Sequence, residues 1–199
     1  MKLLAGKTIS ILGLGASGAA AARLALYKGG EVYVSDSHVE PSAAASAAEL
    51  RGLGARVELG DHDVERVARA DTVVVSPGIP PDTPVLQALR NAGRGWISEP
   101  EFAFWFLKGP LIAVTGTNGK TTTAAMTAHL LREAGYAVGL GGNIGADFGP
   151  PASGLALLDP PPAWFVVEVS SFQLADIVEF CPTIGLVTNL APDHLDRYP

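Results

Sequence analysis

Short apolar, β-branched runs recur along the chain, and most are followed by a stretch of helical character. Thr8–Leu12, Glu31–Ser35, Arg56–Leu59 and Asp71–Ser76 read as strands. Helices are predicted from about Gly18 to Lys28, over Ala43–Leu53 and near Val85–Ala92. Such alternation predicts a parallel sheet covered on both faces. A join follows: a short strand around Trp96 and Ile97, then an aromatic helix over Glu99–Leu107 closed by Gly109-Pro110. The aromatic run Phe102–Phe106 is expected to pack between two units. Then the pattern restarts, with a strand at Leu111–Val114 and a helix over Lys120–Ala134 stopped by Gly135. Ala137–Leu140, Trp164–Val169 and Thr183–Thr188 are further strands. The stretch bracketed by Pro150-Pro151 and Asp159–Pro162 is expected to be a surface loop or brief helix.

The fold class is therefore α/β: a parallel-sheet unit over residues 1–93, a linker over 94–110, and a second unit over 111–199. The second unit, at roughly 90 residues, is shorter than the ~100–150 of a typical doubly wound domain. The chain also stops at Tyr198-Pro199 before a closing helix, which predicts a truncated protein.

Composition narrows the classes. Apolar residues make up 48% and charged residues 17% of the 199, which is globular and not disordered. The longest apolar runs are too short to cross a bilayer, and Met-Lys-Leu-Leu-Ala meets Gly6-Lys7 before a signal-peptide core develops. The single cysteine, Cys181, forms no internal disulfide and fits a reducing cytoplasm. A net charge of −6 argues against nonspecific nucleic-acid binding. It leaves room for phosphate binding through backbone amides, a lysine and a metal.

Thr115-Gly116-Thr117-Asn118-Gly119-Lys120-Thr121-Thr122 lies between a strand and a helix. A glycine-rich turn aims consecutive amides at phosphate oxygens, and the helix start adds partial positive charge. Lys120 is placed to reach β/γ-phosphates and the Thr121 hydroxyl to face Mg²⁺. Val114 stands where the general phosphate-loop pattern has its first glycine. Upstream, Gly13-Leu14-Gly15-Ala16-Ser17-Gly18 follows the first strand and Asp36 closes the second, a pattern that suits a pyrophosphate and a ribose hydroxyl. A dinucleotide, a UDP-containing ligand and a plain βα turn all satisfy it. Ser76-Pro77-Gly78-Ile79-Pro80 ends another parallel strand at the ligand-binding edge, or is an ordinary turn.

Glu168 closes the apolar run Trp164–Val167, where a carboxylate is costly to bury unless it meets a cation. A Mg²⁺ site and an Arg or helix-terminus partner are both open readings. Ser170, Ser171 and Gln173 follow and can cap a helix. The polar cluster Asn189–Arg197 contains His194, a candidate metal ligand or substrate contact oriented by Asp193 or Asp196. His38, His62 and His129 read as solvated or structural. Asn143, in Gly141-Gly142-Asn143-Ile144-Gly145, is a ligand contact or a turn residue.

In order, the stretches 115–122, 141–145, Glu-Val-Ser-Ser-Phe-Gln-Leu at 168–174 and Asn-Leu-Ala-Pro-Asp-His-Leu-Asp-Arg-Tyr at 189–198 resemble the Mur ligase family. With Gly-Leu-Gly-Ala-Ser-Gly and Ser-Pro-Gly-Ile upstream, Ser-Ser-Phe-Gln-Leu resembles the branch that adds D-glutamate. Val114 is normal for the family's loop. The resemblance implies a Rossmann-like UDP-binding unit, the first half of a P-loop ATPase unit, and an amino-acid-recruiting C-terminal unit absent from this chain. Implied UDP-substrate contacts are Gly15, Ala16, Ser17, Asp36, Ser37, Gly78, Asn143 and His194. Implied ATP contacts are Gly116, Thr117, Asn118, Gly119, Lys120, Thr121 and Thr122. Implied metal ligands are Thr121, Glu168 and His194, with Lys120, Glu168 and His194 catalytic and a carbamylated lysine expected just beyond Pro199. His38 departs from the family, where Arg can stand. The implied activity is ATP- and Mg²⁺-dependent joining of D-glutamate to UDP-N-acetylmuramoyl-L-alanine through an acyl phosphate, by a cytoplasmic monomer. Residues 1–199 alone are expected to be inactive. Another Mur-type carboxylate–amine ligase, or an NAD-dependent oxidoreductase using Gly13–Gly18 and Asp36, are the alternatives.

Overall fold

The computed structural model describes residues 3–193 and 195. Its first sheet holds five parallel strands in the order β3-β2-β1-β4-β5: β1 (Thr8–Leu12), β2 (Glu31–Asp36), β3 (Arg56–Leu59), β4 (Thr72–Val75) and β5 (Ile97–Ser98). The second holds four parallel strands in the order β7-β8-β6-β9: β6 (Leu111–Thr115), β7 (Val138–Gly142), β8 (Trp164–Glu168) and β9 (Ile184–Val187). Ile9, Ile11, Val34, Val74, Val166 and Val167 are buried, as strands covered on both faces require.

Helix α1 (Ala16–Tyr27) buries Gly18 and Ala19 to Ala22 against the first sheet; small side chains let its axis come close. A Cβ on Gly18 would stand 1.9 Å from the Gly13 carbonyl oxygen, so only glycine fits this crossing. α2 (Pro41–Gly52) packs beside it, and α4 (Pro84–Asn91) closes the other face with Val85, Leu86 and Leu89. α3 (Val64–Arg69) is one short helix that hydrophobic periodicity did not predict. Its signal is a cap, with the Asp63 carboxylate accepting from the Arg66 amide at 3.0 Å. In the second unit α6 (Lys120–Glu133) follows the 115–119 loop, and α8 (Ser171–Ala175) opens with a capping box between Ser170 and Gln173.

The segment expected to be a linker does more than link. β5 completes the first sheet from within it, and α5 (Glu99–Phe104) feeds both cores. Phe102 and Phe106 enter the core under α1, whereas Ala103, Phe104 and Leu107 join the core of the second sheet. The stretch expected to be a surface loop or brief helix holds a brief helix, α7 (Ala152–Leu155), and that helix does not lie on the surface. Ala152, Ser153 and Leu155 are buried, because α7 lies in the seam against α1 and α5.

Two buried carboxylates hold this seam. Glu101 accepts from the amides of Val178, Glu179 and Phe180 at 2.7–3.0 Å and from the Trp105 indole at 2.9 Å. Glu99 accepts from the Ser153 amide at 2.5 Å, while its other oxygen has no partner among the described residues. Burial pushes the Glu99 carboxyl from its ordinary 4.5 up to about 7, against the opposing pull of hydrogen bonding from Ser153 and Ala152.

The folded protein therefore holds this proton more tightly than the unfolded chain does. Its stabilisation is complete below about pH 4.5 and is lost as pH rises towards 7. Thermal unfolding between about pH 5 and about pH 8 should show the wild type losing ~5 °C or more over that range. Glu99→Gln should flatten the slope whatever its absolute Tm; an equal slope in both proteins would show that Glu99 does not titrate there.

Candidate active site

Parallel sheets bind ligands outside the carboxyl ends of their strands, where neighbouring connections diverge. In the first sheet that point lies between β1 and β4. There the Gly13–Gly15 turn, the loop after β2 and residues 76–84 line a cavity of about 620 Å³. Gly15, Ala16, Ser17, Asp36, Ser37 and Gly78 all face it, so six predicted UDP contacts share one wall-to-wall space. A Cβ on Gly15 or Gly78 would meet nothing within 4 Å, which leaves both backbones open to a ligand. The start of α1 presents its amides without a side-chain cap, a ready anion cradle.

Asp36, expected from the sequence to suit a ribose hydroxyl, is engaged by backbone amides. One oxygen accepts from the Leu14 amide at 2.6 Å and the other from the His38 amide at 2.8 Å. The carboxylate thus ties the first turn to the loop after β2. Burial opposes its ionisation, but the His38 and Leu14 amides and the His38 ring outweigh that and hold its pKa below the usual carboxylate range. His38 and His62, read from sequence as solvated or structural, both line the cavity. The His62 ring lies 2.8 Å from the Ser35 hydroxyl, and burial lowers its pKa despite Asp36 and Asp61 nearby. Sequence could not pick it out, since only folding carries 62 across to the end of β2.

The second cavity, about 880 Å³, opens at the carboxyl ends of β6, β8 and β9. Gly116, Thr117, Lys120, Asn143, Ser170, Ser171 and Asp193 line it, and so do Pro77 and Gly78 from the first sheet. The two cavities thus meet at Pro77-Gly78. Gly116 has φ +130°, and a Cβ there would collide with the Thr188 hydroxyl at 2.2 Å, so the loop needs glycine for both shape and space. The Lys120 ammonium folds back onto the carbonyls of Gly116 and Thr117 at 2.8 and 2.9 Å. The amides of Gly119 to Thr122, at the start of α6, are the open donors a helix leaves at its first turn.

The Thr121 hydroxyl donates to Glu168 Oε2 at 2.7 Å, joining the helix start to the end of β8. Glu168 is buried, and the Asn143 amide donates to its backbone carbonyl at 2.9 Å. Among the described residues no group of three or more His, Cys, Asp or Glu gathers to hold a metal. Thr121 and Glu168 still fit Mg²⁺, a hard cation that takes one or two protein oxygens and fills its octahedron with water and phosphate. His194, predicted as metal ligand and substrate contact, lies outside the described residues, as do Asp196 and Arg197. No described helix is long and apolar enough to cross a membrane.

Comparison with known proteins agrees with this geometry. A family model described as "Mur ligase MurD-like, N-terminal domain" matches residues 7–98, and one described as "Mur ligase middle domain" matches residues 114–199. UDP-N-acetylmuramoylalanine–D-glutamate ligases from Desulfatibacillum aliphaticivorans and Geobacter metallireducens are each 43% identical over 195 residues, 98% of this chain. The chain spans 42% of the length of these relatives. Among solved structures, the UDP-N-acetylmuramate:L-alanyl-gamma-D-glutamyl-meso-diaminopimelate ligase from Neisseria meningitides aligns over 97% of this chain and 63% of its own. It does so at TM-score 0.57 and 27% identity. The murein peptide ligase of Psychrobacter arcticus shares the fold at TM-score 0.55 and 24% identity, over 96% of this chain and 44% of its own. With both units matched in order and two phosphate-type cradles at the expected strand ends, this chain belongs to the Mur ligase family.

Proposed function

We propose that this chain carries the UDP-substrate and ATP sites of a ligase that joins D-glutamate to UDP-N-acetylmuramoyl-L-alanine. The observation that carries the reading is the meeting of the two cavities at Pro77-Gly78, each with its own cradle of backbone amides. Such a layout lets a uridine diphosphate sit in one cavity while the far end of the same molecule reaches a triphosphate in the other. The names of the 43%-identical relatives support the choice of D-glutamate within the family. On this reading the alanyl carboxylate attacks the γ-phosphorus of ATP and ADP leaves. The amine of D-glutamate then attacks the acyl carbonyl, phosphate departs, and an amide remains.

Phosphoryl transfer of this kind is mainly positioning and charge neutralisation. Gly119–Thr122 amides cradle the phosphates, and Lys120 leaves its two carbonyl partners to reach them. Thr121 and Glu168 hold Mg²⁺, which neutralises charge on the triphosphate when bound. Gly15, Ala16, Ser17, Ser37 and Gly78 take the diphosphate and uridine, with Asp36 shaping the turn. Asn143 stands on the path between the two sites. Residues 1–93 and 111–199 are proposed as the UDP and ATP domains, working in the cytoplasm.

Thermal-shift measurements on the chain test the reading, because a ligand that binds the native state raises its stability. UDP-N-acetylmuramoyl-L-alanine and Mg·ATP should each raise Tm; a rise with NADH and none with either would point to the oxidoreductase instead. Lys120→Ala should abolish the Mg·ATP shift and keep the UDP-substrate shift. In the full-length enzyme it should cost ~10²-fold or more in turnover, and near wild-type turnover would defeat the assignment. Asp36→Ala frees the Leu14 and His38 amides, so calorimetry should show UDP-substrate affinity falling ~10-fold with Mg·ATP binding intact. Unchanged affinity would remove Asp36 from the site.

A further inference from the structure

The phosphate loop does not stand alone: residues just after β9 grip its tip. The Asn189 side chain takes both backbone polar groups of Asn118, its Oδ1 accepting from the Asn118 backbone amide at 3.0 Å and its Nδ2 donating to the Asn118 backbone carbonyl at 2.9 Å. The Thr188 hydroxyl donates to the same carbonyl at 2.7 Å. One residue back, the Thr117 amide donates to the Asn189 carbonyl at 3.0 Å. The Thr117 hydroxyl exchanges hydrogen bonds with the Ala191 backbone at 3.0 and 3.1 Å. Gly116 is pressed so close to Thr188 and Asn189 that no side chain fits.

This grip decides which amides face a ligand. Thr117 and Asn118 spend theirs on Asn189, so the next four, Gly119 to Thr122, are the donors that remain open. A planar carboxamide carries one acceptor and one donor side by side, which matches the amide and carbonyl of Asn118. Aspartate keeps the acceptor but turns the donor into a charge against the Asn118 carbonyl. Alanine removes both. Asn118 is exposed, so water can satisfy its freed groups; what is lost is the loop's order, which a ligand must then restore.

We propose that Asn189 is a positioning residue for the nucleotide: it presets the phosphate loop so that the triphosphate meets the amides of residues 119–122. The proposal rests on reading the loop as an ATP site. It is tested on this chain by titration with Mg·AMP-PNP and with UDP-N-acetylmuramoyl-L-alanine, and by amide hydrogen exchange without ligand.

Asn189→Ala should bind Mg·AMP-PNP ~10-fold more weakly with UDP-substrate affinity unchanged. The Asn118 amide should lose protection in that variant, while the Thr123 amide, held by the Gly119 carbonyl at 2.9 Å, keeps it. Asn189→Asp should fail to restore nucleotide binding. Equal nucleotide affinity in wild type and Asn189→Ala, or a parallel loss for both ligands, overturns the proposal; the second outcome would mark Asn189 as a general fold residue. If the wild type takes up the UDP-substrate but no Mg·AMP-PNP, the ATP reading of the loop itself falls, and this inference with it.

Discussion

Two buried carboxylates on one short helix set the relation between the two sheets. A carboxylate is expensive to remove from water unless it is met by several hydrogen-bond donors. Glu101 meets three consecutive backbone amides of the segment after α8 together with the Trp105 indole, and Glu99 meets the start of α7. Both acids lie on α5, whose residues also divide between the two hydrophobic cores. The Ser98 amide adds a bond to the Asp176 carbonyl at 2.8 Å. Rotating one sheet against the other would strip these buried acids of their donors, so the seam has few alternatives. That constraint brings Pro77-Gly78 beside the phosphate loop and makes two strand-end cavities into one path.

Within that frame, on the proposed function, an acidic protein handles anionic ligands with little basic side chain. The cradles are main-chain amides at the starts of α1 and α6, whose partial charge needs no counter-ion and does not change with pH. Side chains mostly organise backbone. Asp36 binds the Leu14 and His38 amides and Asn189 binds the Asn118 backbone, while Thr121 and Glu168 meet side chain to side chain. Lys120 is the one basic side chain of the phosphate loop, parked on two carbonyls.

Much of this was legible in the chain. Apolar runs and helix stops located the strands and the longer helices within a few residues, because those signals are local. The glycine-rich turns were legible for the same reason: Gly116 and Gly18 sit where a side chain cannot, and the strand before and helix after each turn are written beside it. The short helix α3 escaped, since six residues carry no periodicity worth reading, and for α7 the sequence offered a surface loop or brief helix but gave no sign of its burial. α3 depends on one cap, and α7 on a carboxylate more than fifty residues away.

The sequence by itself determined the order of elements, the two phosphate-type turns and the family they resemble, because each is coded by neighbours along the chain. Tertiary structure decided what no neighbour encodes. It put Glu99 and Glu101 into a seam, brought His62 to the Asp36 cavity and laid Asn189 across the tip of the phosphate loop. Those roles belong to pairs separated by tens of residues. A side chain's partner at that range is set by how whole sheets pack, and composition and spacing are silent about packing.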